Sequence, residues 1–317
     1  MVFKDANEAL NFYFPDKKSA LENILDFYSK DNDKSVGLVF GNELDFNLLQ
    51  TEIIKSIPIP FPKLYLSLGG FDYGCLYLIL AGVGIGKSTL LNELSYYYFS
   101  NNYKIANLFY EESEKVTPLR YIALENNIPV GLLRRDRTLL SSEQWENSRK
   151  SINKDTVCFL NKEAIKNSES LFKNIEYLVE KKGFDIIIID HISYIIGRSG
   201  VSKNGERRDI DELIYKLQDL THKLGCIIIC VSHITESNGT KGWDEGEIPS
   251  LYSGRGSKVL AQVPDGIIGL ARDMKNEYKQ AIMTTYCLKN RWGNKLGKMD
   301  SLVFHENTGR LELFNYE

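Results

Sequence analysis

The chain has 317 residues, of which 43% are hydrophobic and 26% are charged, so it is large enough to bury one sizeable core. Its 39 lysines and arginines face 42 aspartates and glutamates, which gives a net charge of −3 and excludes a broad basic surface. Any contact with nucleic acid is therefore expected to be local or shared among subunits. The apolar runs are much shorter than the roughly 20 residues that cross a membrane, and no signal-peptide pattern is present. We expect a cytoplasmic protein without membrane contact.

The first 45 residues differ from the remainder and are predicted to form an N-terminal remnant with a short linker helix. Apolar residues recur at helical spacing between Asp16 and Tyr28, and a polar stretch from Ser29 to Ser35 follows. Because a helix this short is marginal alone, its apolar stripe needs a partner surface, either on its own domain or on a neighbouring subunit. Residues 46–317 are predicted to form one larger domain.

From about Gly74 onward, apolar strand-like runs alternate with helical periodicity, which indicates an α/β fold with a mainly parallel sheet covered on both faces. After Pro264 the pattern changes to strands alone and ends in a hairpin-like turn at 307–309. We therefore expect C-terminal antiparallel strands that extend the parallel core. The predicted strands are 76–81, 105–110, 185–190, 226–232, 266–271, 281–289 and 300–305, and the predicted helices are 88–99, 115–125, 168–182 and 209–224.

The segment from Ala81 to Thr89 follows an apolar strand and opens a helix, which is the setting of a phosphate-binding P-loop. Its glycines let backbone N–H groups close round the phosphates at the helix N-terminus, although Ala81 stands where the strict pattern has glycine. Lys87 would neutralise the β- and γ-phosphate oxygens, and Ser88 would offer a hydroxyl to Mg²⁺. The residues predicted to bind nucleotide here are Gly82, Gly84, Gly86, Lys87, Ser88 and Thr89.

Three further side chains are predicted at the P-loop edge of the sheet because each follows the end of a strand. Four isoleucines precede Asp190, and a buried strand that ends in aspartate beside a P-loop is the Walker B arrangement for Mg²⁺. Glu111 would orient an attacking water at the γ-phosphate, and His233 is a candidate phosphate sensor. A solvated acidic loop and a structural histidine are the alternatives for these last two residues.

Lys289 and Arg291 place two cations on one side of a late extended segment. An arginine there can act as a finger on the transferring phosphoryl group of an adjoining subunit; the alternative is an exposed basic strand end. Two polar loops, 197–208 and 235–257, are predicted to follow strands. The cations that they offer to phosphates are Lys203, Arg207, Arg208, Lys241, Arg255 and Lys258.

With its motifs in this order, the chain from about Val36 onward resembles the helicase half of the primase-helicases of small lytic phages and of mitochondrial Twinkle, and more distantly bacterial DnaB. These proteins are RecA-type hexameric helicases, so the resemblance implies a RecA-like P-loop NTPase fold. The stretches that resemble the family most specifically are 109–113, 185–193, 206–208, 255–257, 262–265, 288–291 and 307–309.

The resemblance also implies a role for each matching residue. Glu111 would be the catalytic base, Asp190 the Walker B acid, and Arg291 a finger acting in trans with Lys289 beside it. His233 and Gln262 would sense phosphate, and Arg272 and Phe304 would flank the nucleotide base. The loop 235–257 would line a central channel, where family members carry more lysines than this chain. The residues implied to contact nucleic acid are Lys241, Arg255, Gly256, Ser257, Lys258 and Arg207.

As an activity, the resemblance implies a replicative helicase that hydrolyses ATP or another NTP or dNTP with Mg²⁺ and moves 5′ to 3′ along single-stranded DNA. It implies a homo-hexameric or heptameric ring in the cytoplasm of a bacterial host, with a separate primase and a DNA polymerase as partners. The segment from Lys4 to Glu8 resembles the last motif of the primase domain that precedes these helicases. Since the sequence lacks the other primase motifs, we expect no primer synthesis.

Two other functions stay open on the sequence. A RecA- or RadA-like ATPase that forms filaments on DNA would share the P-loop, Glu111 and Asp190, whereas Arg291 and the N-terminal helix favour a ring. A nucleotide-responsive helicase loader or scaffold would bind nucleotide and scarcely hydrolyse it. Glu111 and Arg291 argue against this second alternative.

Overall fold

The chain divides into two units, residues 1–53 and residues 54–317, and each is described by itself. The structure, a computed structural model, describes residues 41, 44–51, 53–161, 167–199, 205–234, 241–254, 258–293 and 295–314. In the first unit it shows helix α1 at Phe46–Thr51, where Phe46 and Leu49 are exposed. The predicted helix between Asp16 and Tyr28 lies outside the described residues, as does the segment from Lys4 to Glu8. The domain division after residue 45 stays a prediction.

The second unit alternates strands and helices along most of its length. Its described strands are β1 Ser56–Ile57, β2 Phe71–Asp72, β3 Leu76–Ala81, β4 Ile105–Phe109, β5 Val157–Phe159, β6 Ile186–Asp190, β7 Ile227–His233, β8 Gly266–Arg272, β9 Ile282–Asn290, β10 Gly297–His305 and β11 Arg310–Leu313. Its described helices are α2 Pro62–Leu68, α3 Lys87–Ser100, α4 Val116–Glu125, α5 Val130–Arg135, α6 Ser142–Ile152, α7 Ser168–Glu176, α8 Ile192–Ser199, α9 Glu206–Leu224 and α10 Val259–Gln262. No helix in the described ranges is long and apolar enough to cross a membrane.

Nine of the described strands form one sheet, in the order β11-β10-β9-β8-β3-β7-β6-β4-β5. The six strands from β8 to β5 in this order are parallel, and β9, β10 and β11 extend the sheet with antiparallel pairings. The predicted parallel core with C-terminal antiparallel strands is therefore confirmed. Because parallel strands share one direction, the segments that follow β3, β4, β6 and β7 meet at a single edge, which is called the carboxyl edge below.

The sheet is buried on both faces because its central strands are mostly apolar, and every residue of β3, β4 and β6 is buried. Along β6, Ile186 and Ile188 pack into the cluster on one face, and Ile187 and Ile189 pack into the cluster on the other. Helix α3 covers the first face with Leu90, Leu91 and Leu94. Helices α7 and α9 cover the second, with Leu171 and Ile175 from α7 and Leu213 and Leu217 from α9. This two-sided burial holds the carboxyl edge in a fixed position.

The segment after β6 differs from the prediction of a loop at 197–208. Helix α8 begins directly after the strand, and its apolar residues Ile192, Ile195 and Ile196 are buried at helical spacing. Helix α9 begins at Glu206, so Arg207 lies in its first turn and is exposed there. The prediction of a loop was wrong at both ends, because α8 carries an apolar helical period from Ile192 and extends to Ser199, and α9 already begins at Glu206.

Candidate active site

The predicted P-loop joins the carboxyl edge of β3 to the N-terminus of α3, where backbone N–H groups lack helical partners. Gly84 and Gly86 have φ angles of 77° and 113°, a region that glycine enters without steric cost. Gly82 is needed for another reason, since a Cβ at this position would lie 2.6 Å from the Cβ of Trp243. The glycines of the motif thus have two steric roles, a positive φ at Gly84 and Gly86 and a close approach of Trp243 at Gly82.

Lys87 is buried, and its ammonium folds back over the P-loop. Its Nζ donates hydrogen bonds to the carbonyl oxygens of Gly82 at 2.8 Å and Ala81 at 3.3 Å. Burial lowers the pKa of Lys87, an effect opposed by the nearby carboxylates of Asp190 and Glu111. These contacts place the cation at the centre of the cradle, where a phosphate would compete for it.

Ser88 and Asp190 face each other across the carboxyl edge. The Ser88 hydroxyl donates a hydrogen bond to Oδ2 of Asp190 at 3.0 Å. Asp190 is 2% exposed, and burial raises its pKa to about 6, with a further rise from Glu111 and an opposing effect of the Ser88 hydrogen bond. Mg²⁺ prefers oxygen ligands and is commonly held by one or two protein groups beside substrate phosphates. A hydroxyl and a carboxylate at this distance, next to a phosphate cradle, fit that ion.

Glu111 follows the end of β4 by two residues, at the same edge, and its carboxylate contacts two histidines. Its Oε1 lies 2.9 Å from Nε2 of His191 and 3.7 Å from Nε2 of His233. The two imidazole rings meet edge to face, with centroids 4.3 Å apart. Burial lowers the pKa of His233 to about 4, and the charge of Lys87 lowers it further. His233 is therefore neutral near pH 7, beside a half-exposed carboxylate that water can reach.

The adjacent carboxylate, Glu112, is held in a different environment. Its Oε1 accepts a hydrogen bond from Nε of Arg120 at 2.7 Å, and its Oε2 accepts one from the Thr117 hydroxyl at 3.2 Å. Both partners belong to α4. Because the Arg120 ion pair and the Thr117 hydrogen bond together engage both oxygens of Glu112, the geometry favours Glu111 as the candidate base.

Arg272 and Phe304 both lie next to the P-loop helix. Arg272 ends β8, and its Nη1 is 3.7 Å from the position that a Cβ on Gly86 would occupy. Burial lowers the pKa of Arg272. Phe304, in β10, lines a cavity of about 150 Å³ with Thr89 and Asn92 of α3. These positions are compatible with contacts to a nucleotide base, which stay a prediction for both residues.

Arg291 lies at the opposite edge of the sheet. It follows Asn290, which pairs with Gly266 of β8, and Gly266 pairs with Tyr77 near the start of β3. Four residue steps of β3 separate Tyr77 from the start of the P-loop, which is roughly 13 Å at the usual rise of a strand. The guanidinium is bound at this amino edge, so it does not approach its own P-loop.

Lys289 and Arg291 both donate hydrogen bonds to backbone carbonyls at the end of α10. The Nζ of Lys289 donates to the carbonyl oxygens of Gln262 at 2.6 Å and Ala261 at 3.1 Å. Arg291 Nη2 donates to the next carbonyl, that of Val263, at 3.1 Å. His233 lies next to Lys87 of its own chain, whereas the recorded contact of Gln262 is its backbone carbonyl with Lys289; phosphate sensing stays a prediction for both residues.

The residues predicted to contact nucleic acid are partly placed. Lys241 is exposed and lines a groove with the cations Arg272, Lys279 and Lys298. Lys258 is exposed just before α10, and Arg207 is exposed on α9. Arg255, Gly256 and Ser257 lie outside the described residues. Part of the predicted loop 235–257 lies next to the P-loop, since Trp243 packs against Gly82.

Three residues of this region were not among the predicted site residues. His191 lay in the stretch 185–193 that resembles the family and was given no role, although the register of β6 against β4 brings it to Glu111. Trp243 belongs to no motif that the sequence analysis identified. Asp265 lay in a stretch that resembles the family, yet its partner Arg291 is 26 residues away along the chain. The contacts of all three depend on tertiary register, which apolar periodicity does not predict.

Residues 56–312 match a family model described as the DnaB-like helicase C-terminal domain. The chain is similar to the DNA helicase/primase of Enterobacteria phage T3, with 25% identity over 248 residues, which is 77% of this chain and 43% of the phage protein. It is also similar to the DNA repair protein RadA of Rickettsia bellii, with 26% identity over 281 residues, which is 86% of this chain and 52% of that protein.

A solved structure described as a DnaB-like replicative helicase and its interactions with primase has a TM-score of 0.71 with this chain. It is 18% identical, and the match covers 98% of this chain and 78% of that chain. This likeness confirms the predicted RecA-like α/β fold. The chain spans about half the length of the curated relatives that it matches.

Proposed function

The chain belongs to the family of DnaB-like helicase C-terminal domains, and we propose that it is the motor of a ring-forming replicative DNA helicase. In this proposal, hydrolysis of a nucleoside triphosphate moves the ring 5′ to 3′ along single-stranded DNA. The observation that carries the proposal is the division of the catalytic residues between two edges of one sheet. Lys87, Ser88, Asp190 and Glu111 lie at the carboxyl edge, and Arg291 lies at the amino edge.

An active site split in this way can be completed only by a second copy of the chain. The Arg291 side chain is 38% exposed, and the next residue, Trp292, is 66% exposed. An exposed tryptophan beside an exposed arginine is typical of the residues that dominate protein interfaces. We infer that this edge docks on the carboxyl edge of a neighbour, which brings Arg291 to the neighbour's γ-phosphate. Repetition of such a head-to-tail contact closes into a ring when the rotation permits.

The chemistry that we propose follows from the carboxyl edge. The N–H groups of the P-loop and the Lys87 ammonium bind the β- and γ-phosphates, and Glu111 orients the attacking water and accepts its proton. Ser88 and Asp190 would hold Mg²⁺, which neutralises charge on the phosphate oxygens when bound. Neutral His233 lies beside the Glu111 carboxylate. It is therefore placed to change its hydrogen bonds when the γ-phosphate is lost.

Single-stranded DNA is the proposed track. The exposed cations Lys241, Lys258 and Arg207 are few, and the chain carries a net charge of −3, so one chain offers little attraction for phosphates. A ring would bring several copies of these cations to one strand. We propose a hexamer or heptamer as the binding unit, with a primase and a DNA polymerase as further partners.

A second candidate is a RadA-like ATPase that forms filaments on DNA. It is favoured by the RadA relative, which covers more of this chain than the phage helicase does. Such a protein would use the same P-loop, Glu111 and Asp190. Negative-stain images with a non-hydrolysable triphosphate, with and without single-stranded DNA, would separate closed rings from filaments.

The experiment that tests the proposed function is unwinding of forked duplexes with either a 5′ or a 3′ tail, using each common NTP and dNTP with Mg²⁺. We expect strand separation only with the 5′ tail, and none with Lys87→Ala, which lacks the ammonium in the cradle. Hydrolysis that single strand stimulates, without strand separation on either fork, would contradict the helicase and favour the RadA-like alternative.

A further inference from the structure

We propose that Asp265 is the positioning residue of the arginine finger, holding Arg291 in the orientation in which it enters the neighbour's active site. This inference rests on the proposed function, since it assumes that Arg291 acts in trans. The Nη1 of Arg291 lies 2.7 Å from Oδ1 of Asp265, and the Arg291 backbone N–H donates to the Asp265 carbonyl oxygen at 2.8 Å. With the hydrogen bond from Nη2 to Val263, both the backbone and the guanidinium are fixed.

Asp265 is itself anchored to the centre of the fold. Its Oδ2 accepts hydrogen bonds from the backbone N–H of Leu76 and from Nε2 of Gln218, both at 3.0 Å. Its own N–H donates to the Leu76 carbonyl oxygen at 2.8 Å. The residue is 2% exposed and lies between β3 and α9. The finger is therefore joined through one buried carboxylate to the strand that ends in the P-loop.

The pairing leaves the guanidinium able to act. A guanidinium has five N–H donors, and the Asp265 and Val263 contacts use one donor on each Nη atom. The side chain remains more than one third exposed, so its other donors face outward. A free arginine would lose rotamer freedom when it enters a neighbour's site. The ion pair with Asp265 restricts the Arg291 rotamers before assembly, so less conformational entropy is lost when the finger enters the neighbour's site.

The opposite role, in which Asp265 withholds the finger until assembly, predicts the opposite result. Neutralising Asp265 would then release Arg291 and raise turnover. We infer positioning because the carboxylate binds one end of the guanidinium while the backbone N–H is fixed to the same residue. The whole segment around Arg291 is held in place and not only its charge.

The test is Asp265→Asn in the full chain. Asparagine keeps the shape and an acceptor for the Leu76 N–H, but it removes the charge that faces Arg291. We expect kcat for DNA-stimulated hydrolysis to fall about tenfold to a hundredfold, the size of effect that a small misplacement of a catalytic group produces. The KM for triphosphate should change less than about threefold, because the P-loop is untouched. A normal or raised kcat would overturn the proposal.

Asp300→Asn is the matched control for loss of a buried carboxylate. Asp300 is 4% exposed and accepts from the N–H groups of Lys63 and Leu64 at the start of α2, and neither hydrogen bond involves Arg291 or the P-loop. It should lower the melting temperature and leave kcat unchanged. If Asp265→Asn does not fold, Gln218→Leu is the second variant, since it loosens Oδ2 of Asp265 without adding a charge. It should lower kcat in the same way and by less.

Mixed assemblies distinguish positioning of the finger from a general structural role. A Lys87→Ala subunit still has a sound finger, and an Asp265→Asn subunit still has a sound P-loop, so their mixture should regain part of the turnover. Asp265→Asn mixed with Arg291→Ala should regain none, because both defects lie on the finger side. If Arg291→Ala mixed with Lys87→Ala regains turnover but Asp265→Asn mixed with Lys87→Ala does not, the proposed role of Asp265 is overturned and the shared site stands. Failure of the Arg291→Ala mixture itself would overturn the shared site.

Discussion

The Ser88 hydroxyl donates a hydrogen bond to the Asp190 carboxylate at 3.0 Å, joining the first turn of the P-loop helix to the end of β6. The two oxygens that we propose as Mg²⁺ ligands are thus adjacent, at a carboxyl edge whose strands are buried on both faces. The same burial raises the pKa of Asp190 to about 6, so the ionised form is disfavoured in the folded protein. The site is suited to catalysis at a cost in stability.

That cost predicts the effect of Asp190→Asn on the nucleotide-free and metal-free protein. A carboxyl whose folded pKa is raised favours folding below its unfolded pKa near 4, and the favourable contribution is lost as pH rises through about 6. Asparagine avoids the buried charge and should raise stability at pH 7.5 by up to about 3 kcal/mol. The gain should vanish at pH 4. Melting curves at both pH values would check this, and an equal gain at both would contradict it.

Glu111→Gln should bind triphosphate and assemble but hydrolyse at least about a hundredfold more slowly, since it loses the base and keeps the cradle. Glu112→Gln is the matched control, because it makes the same change one residue along, at a carboxylate engaged by Arg120. We expect its turnover to stay within a few-fold of normal. Steady-state hydrolysis and equilibrium nucleotide binding measure the two effects. Near-normal turnover in Glu111→Gln would show that another group is the base.

Binding to single-stranded DNA should require assembly, because one chain offers few cations. It should also weaken steeply with salt, because several copies of these cations together release counterions from the DNA phosphates. Lys241→Ala should reduce both the affinity and the slope against salt concentration. Lys150→Ala removes the same charge from an exposed position on α6 and is the control. Fluorescence anisotropy over a salt series would test this. Tight binding by monomers that salt does not affect would contradict the account.

Trp243 should report the state of the P-loop, because it packs so closely on Gly82 that a Cβ there would lie 2.6 Å from the Trp243 Cβ. The Gly82 carbonyl accepts from Lys87, so movement of Lys87 to a phosphate should alter the contact with the indole. We expect triphosphate to change the tryptophan emission of the wild type but not of Trp243→Phe. Trp145→Phe, on α6, is the control and should keep the change.

The sequence predicted the central sheet well because its strands are continuous apolar runs and its helices carry strong apolar periods. β6 is an example, since four consecutive isoleucines are apolar and β-branched, which favours a buried strand. The short elements α5 and α6 were missed because few of their side chains are buried. The N-terminus of α6 is instead fixed by a capping box of Ser141 and Gln144.

The candidate site was predictable only where one short segment carries the chemistry. The P-loop could be identified because its glycines, Lys87 and Ser88 are consecutive. Asp190 could be placed because it ends a strand. The contact of His191 with Glu111 and the pairing of Arg291 with Asp265 depend on how separate strands align, and no local pattern encodes that alignment.

The most direct test of the shared active site is turnover of mixed assemblies of Lys87→Ala and Arg291→Ala. Each variant alone should be inactive, since trans fingers elsewhere are worth about 10³ to 10⁵ in rate. In a mixture, the P-loop of an Arg291→Ala subunit meets the finger of a Lys87→Ala neighbour, so some interfaces regain every catalytic group. We predict partial recovery of hydrolysis that depends on the mixing ratio. No recovery at any ratio, with subunit exchange shown independently, would contradict a site divided between two chains.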